Sequence, residues 1–183
     1  MTTKNKKGFT IIEVVLVLAI AGLIFLMVFI ALPALQRSQR NTQREDDLAR
    51  VLTAVNQYQA NNNGKVPFDG TSGNVDNFVK RYLDKTCDPK TGGANGDTTA
   101  HGYTCDAGSN EFRDPQGDTY GMSDKGKATN GTDISSGLKE KNFYGYYNAT
   151  CGDEGKTNSG TGDRDVAVFM KLEGGAIACN DNH

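Results

Sequence analysis

Between Val14 and Leu35 the chain runs 22 residues without a charge. At about 1.5 Å per residue, that run is a helix of roughly 33 Å, enough to cross the hydrocarbon core of a bilayer. The apolar stretch is slightly longer: of the 27 residues Phe9–Leu35, all but Thr10, Glu13, Gly22 and Pro33 are apolar. The chain has 183 residues and 37% are from the apolar set, so one seventh of its length holds about a third of its apolar material. A single uniform soluble globule is excluded. What remains is an apolar stalk followed by a polar, glycine-rich head.

Charge divides in the same way. Lys4, Lys6 and Lys7 precede the apolar run, while residues 51–183 carry 13 basic and 18 acidic side chains. An acidic head lacks the electrostatic footprint of a nucleic-acid binder, and no specific nucleic-acid partner is expected. A cleaved secretory signal has a shorter apolar region and a small-residue cleavage site, neither of which fits here. The positive-inside rule is indecisive, because Arg37, Arg40 and Arg44 on the far side balance the three lysines. The four cysteines, Cys87, Cys105, Cys151 and Cys179, all lie in the head, widely spaced and without nearby histidines. Disulfides are favoured over zinc, which puts the head outside the cytoplasm and the N-terminus inside.

Glu13 is the anomaly of the stalk. A carboxylate at membrane depth costs about 2.5–3.5 kcal/mol on insertion scales, so such a group is normally paired or functional. Its surroundings read Lys6-Lys7-Gly8-Phe9-Thr10-Ile11-Ile12-Glu13. This string closely resembles the cleavage and methylation site of type IV prepilins and the related pseudopilins. The resemblance implies cleavage after Gly8 by a prepilin peptidase, methylation of the new Phe9 amine, and a role for Glu13 in assembly. In a low-dielectric bundle, Glu13 would pair with the Phe9 amine of a neighbouring subunit and fix its register. The implied division is a leader 1–8, an apolar helix 9–35, an amphipathic continuation 36–60 and a head 61–183.

Pro33 cannot donate to the carbonyl of Phe29, so a kink or a locally opened helix is expected there, with Gly22 as a second weak point. Beyond Leu35, Leu48, Val51, Leu52, Val55 and Tyr58 share one helical face, so the helix continues to about Ala60 and stops at Asn61-Asn62-Asn63-Gly64. Arg37, Arg40, Arg44, Glu45, Asp46, Asp47 and Arg50 lie on other faces, where solvation is the default and ion pairing between subunits the alternative. A second helix is expected over Val75–Asp84. From Cys87 to Arg164, 15 glycines punctuate polar sequence, leaving Glu111–Phe112 and Phe143–Tyr147 as the strand candidates. Asp165–Glu173 and Ala176–Cys179 read as a hairpin about a two-residue Gly174-Gly175 turn.

One long helix, a loop-rich middle and a C-terminal hairpin resemble the pilin architecture: α+β, with the helix packed on a small antiparallel sheet. Asp114-Pro115-Gln116-Gly117-Asp118-Thr119-Tyr120 looks like the Asp-Pro-x-Gly-x-x-Tyr turn of many pseudopilins and small pilins. Four cysteines allow three pairings, and proximity favours Cys87–Cys105 with Cys151–Cys179. The latter resembles the pilin habit of clamping the C-terminal hairpin, and closing about 28 residues contributes on the order of 3–4 kcal/mol in the loop-entropy model.

No enzyme is indicated. His101 and His183 are the only histidines, and neither a phosphate-binding loop nor a nucleophile elbow occurs. No cofactor is expected, although Asp153, Glu154, Asp163 and Asp165 offer hard oxygen ligands for Ca²⁺ near the hairpin, as in some pseudopilins. Solvated loop acids are the simpler reading of these residues. Asn130-Gly131-Thr132 and Asn148-Ala149-Thr150 match the N-glycosylation sequon. The resemblance implies a structural subunit, first inserted in the cytoplasmic membrane and then polymerised with copies of itself by pilus assembly machinery into an extracellular filament. Adhesion, twitching motility and DNA uptake are the uses of such filaments. The alternatives are a pseudopilin of a secretion or competence system and, more remotely, a single-span anchored binding domain.

Overall fold

The computed structural model describes residues 8–106, 108 and 112–183. The leader lysines and Glu111 lie outside them. The chain divides into two compact units, Met1–Gln39 and Arg40–His183. Helix α1 runs Ile11–Asn61 and belongs to both. It is helical on both sides of Gly22 and Pro33. It ends where Asn63 and Gly64 take positive φ and the Gly64 amide returns to the carbonyl of Gln59 at 2.8 Å.

In the head unit, Leu48, Val51, Ala54, Val55 and Tyr58 of α1 are buried. They pack in one core with Val75 and Phe78 of α2 (Ser72–Phe78) and with Val79 and Leu83 of the π-helical turn Val79–Leu83 that continues it. The expected second helix is thus two short pieces. Tyr58, Phe68, Phe78 and Tyr82 meet edge-on or stacked at centroid distances of 5.5–6.0 Å.

Among the described residues nine short strands follow, rather than the few that the glycine-rich sequence suggested. β1 (Asp88–Lys90) and β2 (Gly102–Thr104) form an antiparallel pair. β3 (Gly121–Lys127), β5 (Asn142–Tyr147), β8 (Val166–Lys171) and β9 (Ile177–Asp181) form the main sheet in the order β3-β5-β8-β9. Its β3–β5 pairing is parallel and the other two are antiparallel. β4 (Thr132–Asp133), β7 (Lys156–Ser159) and β6 (Ala149–Cys151) form a third, antiparallel sheet. Phe112 lies in a turn and not in a strand, although it is buried. The β8–β9 hairpin pairs Lys171 with Ile177, and Leu172 N–H donates to the carbonyl of Ala176 at 2.8 Å. Its turn is therefore the three residues Glu173-Gly174-Gly175, with both glycines at positive φ, and not a two-residue one.

Alternation along β8 explains why the head has two cores. Val166, Val168 and Met170 face the core that holds α1, and Ala167 and Phe169 face a second core with Ala128, Ile134, Leu138, Tyr144 and Ala149. The main sheet is covered on both faces, by α1 on one and on the other by Ala128, Ile134 and Leu138 of the connecting segments with Ala149 of the third sheet. Disulfides bond Cys87 to Cys105 and Cys151 to Cys179, the latter joining β6 to β9. Together these elements make an α+β, pilin-like fold.

Candidate functional site: the N-terminal motif and the base of the head

Thr10 immediately precedes α1. Its carbonyl accepts from the amides of Glu13 at 3.2 Å and Val14 at 3.3 Å, and its hydroxyl accepts from Glu13 N–H at 3.4 Å. Thr10-Ile11-Ile12-Glu13 therefore has the spacing of a capping box, a signal present in the sequence. The Glu13 carboxylate sits in the first turn, where the helix dipole favours an anion, and it is exposed. Among the described residues it makes no hydrogen bond or ion pair.

The large apolar side chains before and along the first half of α1 are exposed: Phe9 and Ile11 are each 85% accessible, and Leu23, Phe25, Met27, Phe29 and Ile30 are all above 60%. α1 is long and apolar enough to cross a membrane. Gly8 and Gly22 have no atom within 4 Å of where a Cβ would stand, so the chain's own packing does not demand glycine at either.

Sequence reasoning missed the polar cluster at the base of the head. Arg40, Arg44 and Asp47 of α1, read as a solvated face, are engaged within the chain. Arg44 is completely buried. Its Nε donates to Asp114 Oδ1 at 2.8 Å, one Nη lies 2.7 Å from the same oxygen, and the other lies 3.1 Å from Glu173 Oε1. Arg40 forms a two-pronged pair with Glu173, at 2.8 and 2.7 Å. Asn41 bonds the Glu173 backbone in both directions, its Oδ1 accepting at 3.0 Å and its Nδ2 donating at 3.1 Å. The signal was legible in part, since Arg44 stands four residues before Leu48 and so on the buried stripe of α1.

Asp114 is held for this task by its own turn. Gly117 N–H donates to the Asp114 carbonyl at 2.7 Å, and Gln116 N–H donates to the Asp114 carboxylate at 2.9 Å. Pro115 presets the turn, and Gly117 supplies a φ of 92°. Tyr120, at the end of the same string, donates its hydroxyl to Asp47 Oδ2 at 2.7 Å. Burial pushes the Asp47 carboxyl above the usual carboxylate range, against the lowering effect of that bond. Asp114 and Tyr120 thereby tie the Asp-Pro-x-Gly-x-x-Tyr string to α1.

Of the acids near the hairpin, Asp163 and Asp165 have partners within the head. Asp163 pairs with Lys127 at 3.2 Å, and Asp165 Oδ2 accepts from Thr161 and Gly162 within its own loop. Among the described residues, the one close group of metal-ligating types is Asp84 with Cys87 and Cys105, whose sulfurs are joined. His101 Nδ1 lies 2.8 Å from Asp76 Oδ1, and His183 lies 3.9 Å from Asp165, so both histidines have structural partners.

Residues 3–29 match the family model of the prokaryotic N-terminal methylation motif. The N-terminus is that of a type IV pilin-like prepilin. The matched segment covers the basic leader, Gly8-Phe9, Glu13 and most of the apolar run, and together with the apolar helix it fits a membrane-anchored precursor processed by a prepilin peptidase. No curated protein and no solved structure matches the chain. The prepilin-like N-terminus and the two-cored, disulfide-bonded head are the two halves that any account of function has to join.

Proposed function

We propose that the chain is a structural subunit of a type IV pilus, cleaved after Gly8, methylated at Phe9 and polymerised through its N-terminal helix into an extracellular filament serving adhesion, twitching motility or DNA uptake. The observation that carries this reading is the methylation motif continued by an apolar helix whose large side chains are exposed. Such a surface needs lipid before assembly and other copies afterwards. Glycine at position 8 answers to no packing demand of the chain itself, which agrees with recognition by a peptidase. Glu13, exposed and without an internal partner, is the anion for the Phe9 amine that cleavage creates in a neighbouring subunit. Leaving it unpaired in an apolar bundle is costly, so pairing both offsets its desolvation and fixes register.

Glu13→Ala is the direct test. The variant is expected to be processed and to accumulate in the membrane while the yield of sheared filaments falls at least tenfold. Wild-type filament yield from Glu13→Ala would reject the role of Glu13 in assembly.

A second reading, a pseudopilin of a secretion or competence system, fits the methylation motif equally well, and the Asp-Pro-x-Gly-x-x-Tyr string is a turn that pseudopilins and small pilins share. Deletion separates the two readings. Loss of surface fibres supports the pilin, and loss of an exported protein or of transformability with surface fibres intact supports the pseudopilin.

A further inference from the structure

Two clefts meet at one arginine where α1 ends in the head unit. The larger, of about 620 Å³, and its neighbour, of about 560 Å³, share Gly64 and Arg164 as lining residues. Arg164 is fixed from two sides. Its carbonyl accepts from Gln59 Nε2 at 2.7 Å and from Asn182 Nδ2 at 3.2 Å, and its guanidinium lies so close over Gly64 that a Cβ there would stand well inside contact distance of it. Yet among the described residues neither Arg164 nor Lys65, which lines the larger cleft, makes an ion pair or a side-chain hydrogen bond. The acids on the same walls are occupied. Asp163 pairs with Lys127 at 3.2 Å, and Asp69 accepts from Thr71 N–H at 2.9 Å and from Asn74 Nδ2 at 2.8 Å. The C-terminal end of α1 makes a cation welcome here, but a planar fork without a carboxylate suits one from outside the chain.

We infer that the two clefts bind an oligosaccharide that carries a carboxylate, with Arg164 and Lys65 as its anion site. Carboxamides line both clefts, Asn62 and Asn74 the larger and Asn56 and Asn63 its neighbour. Asn62 and Asn74 spend their amide nitrogens within the chain and keep their oxygens as acceptors, while Asn56 spends its oxygen and keeps its nitrogen as a donor. Together with the two cations, the walls therefore offer donors and acceptors in one place. A sugar hydroxyl both donates and accepts, so a row of them matches such a lining. Tyr147 adds an aromatic face and a hydroxyl to the larger cleft. A phosphate-rich ligand would meet Asp69 and Asp163, and an apolar one would find little of the apolar lining that such molecules need. Two clefts joined at one arginine suit more than a single ring. All of these residues lie in the head unit, so the site does not depend on whether the chain polymerises.

Titration of the full chain, in a detergent without a sugar headgroup, with trigalacturonate, its methyl ester and triglutamate tests the site. Trigalacturonate is expected to bind with a Kd of about 1 mM or tighter. Esterification of the ligand and Arg164→Gln in the protein are each expected to weaken binding about tenfold, the loss of one charge-assisted pair. Triglutamate, which has carboxylates and no ring hydroxyls, is expected to bind at least about tenfold more weakly than trigalacturonate. The ester is measured on the wild-type chain, so a folding defect in the variant cannot decide the outcome. Equal binding of acid and ester, or of wild type and a folded Arg164→Gln, removes the anion site and overturns the inference. Triglutamate binding as tight as that of trigalacturonate marks an acidic-peptide site and overturns the saccharide class. Absence of trigalacturonate binding at about 10 mM overturns the inference outright.

Discussion

Arg44 buries a guanidinium with no side-chain exposure between two carboxylates, Asp114 and Glu173. A charge in that position is tolerated only because its partners stay. Arg44→Met would leave Asp114 buried without its cation, and a loss of about 3–5 kcal/mol in denaturant unfolding of the full chain in detergent is expected. A loss below about 0.5 kcal/mol, the range of ordinary surface substitutions, would show that the pair is incidental. Asp97 makes a different, pH-dependent contribution. Burial pushes its carboxyl up, but bonds from the Thr99 hydroxyl, the Tyr144 hydroxyl and the Thr99 amide outweigh burial and hold it below the usual carboxylate range. Because the folded value is depressed, this stability is present above the unfolded value of about 3.9 and is lost as pH falls through the folded one. The melting temperatures of wild type and Asp97→Asn are therefore expected to differ at neutral pH and to converge below about pH 4; a difference that grew on acidification would contradict the assignment. Asp97 did not stand out in the sequence, because an aspartate in a turn looks the same whether its carboxylate is solvated or occupied.

At the scale of elements, β5 meets α1's core through a missing side chain. A Cβ on Gly145 would stand well inside contact distance of the Phe68 ring, so the ring packs directly on the strand backbone. Gly145→Ala is expected to cost about 1–3 kcal/mol by overpacking, read as a lowered denaturation midpoint at unchanged m-value. An unchanged midpoint would mean that Phe68 moves freely. The elements with a period were legible in the sequence: the stalk from its unbroken apolar run, the amphipathic half of α1 from its 3.6-residue pattern, and β8 from its richness in β-formers. The middle of the head was not. β3 reads Gly-Met-Ser-Asp-Lys-Gly-Lys, with no alternation, and pairs because β5 offers it a parallel edge. β4, β6 and β7 are two to four residues long and polar, too short for a periodic signal to rise above turn composition. The hairpin was placed correctly, but its turn gained Glu173, a residue whose carboxylate is occupied by Arg40.

For the whole molecule, two kinds of surface answer to two kinds of stabilisation. The head closes on itself, with α1 on one face of the main sheet, Ala128, Ile134, Leu138 and Ala149 on the other, and two disulfides, one of which joins β6 to β9. The apolar half of α1 is left without cover. The motif at its start was the most legible functional feature of the sequence, since an acid inside an apolar run is costly and this one stands at a fixed distance from Gly8-Phe9. Removal of the leader takes three lysines with it and brings the formal side-chain charge from −2 to −5, so a polymer would carry acidic heads around an apolar core. Everything proposed for the filament depends on this processing step. N-terminal sequencing and mass measurement of the protein recovered from sheared surface filaments test it most directly. The expected result is a chain that begins at a methylated Phe9. A chain that retains Met1 and is confined to the membrane would contradict it.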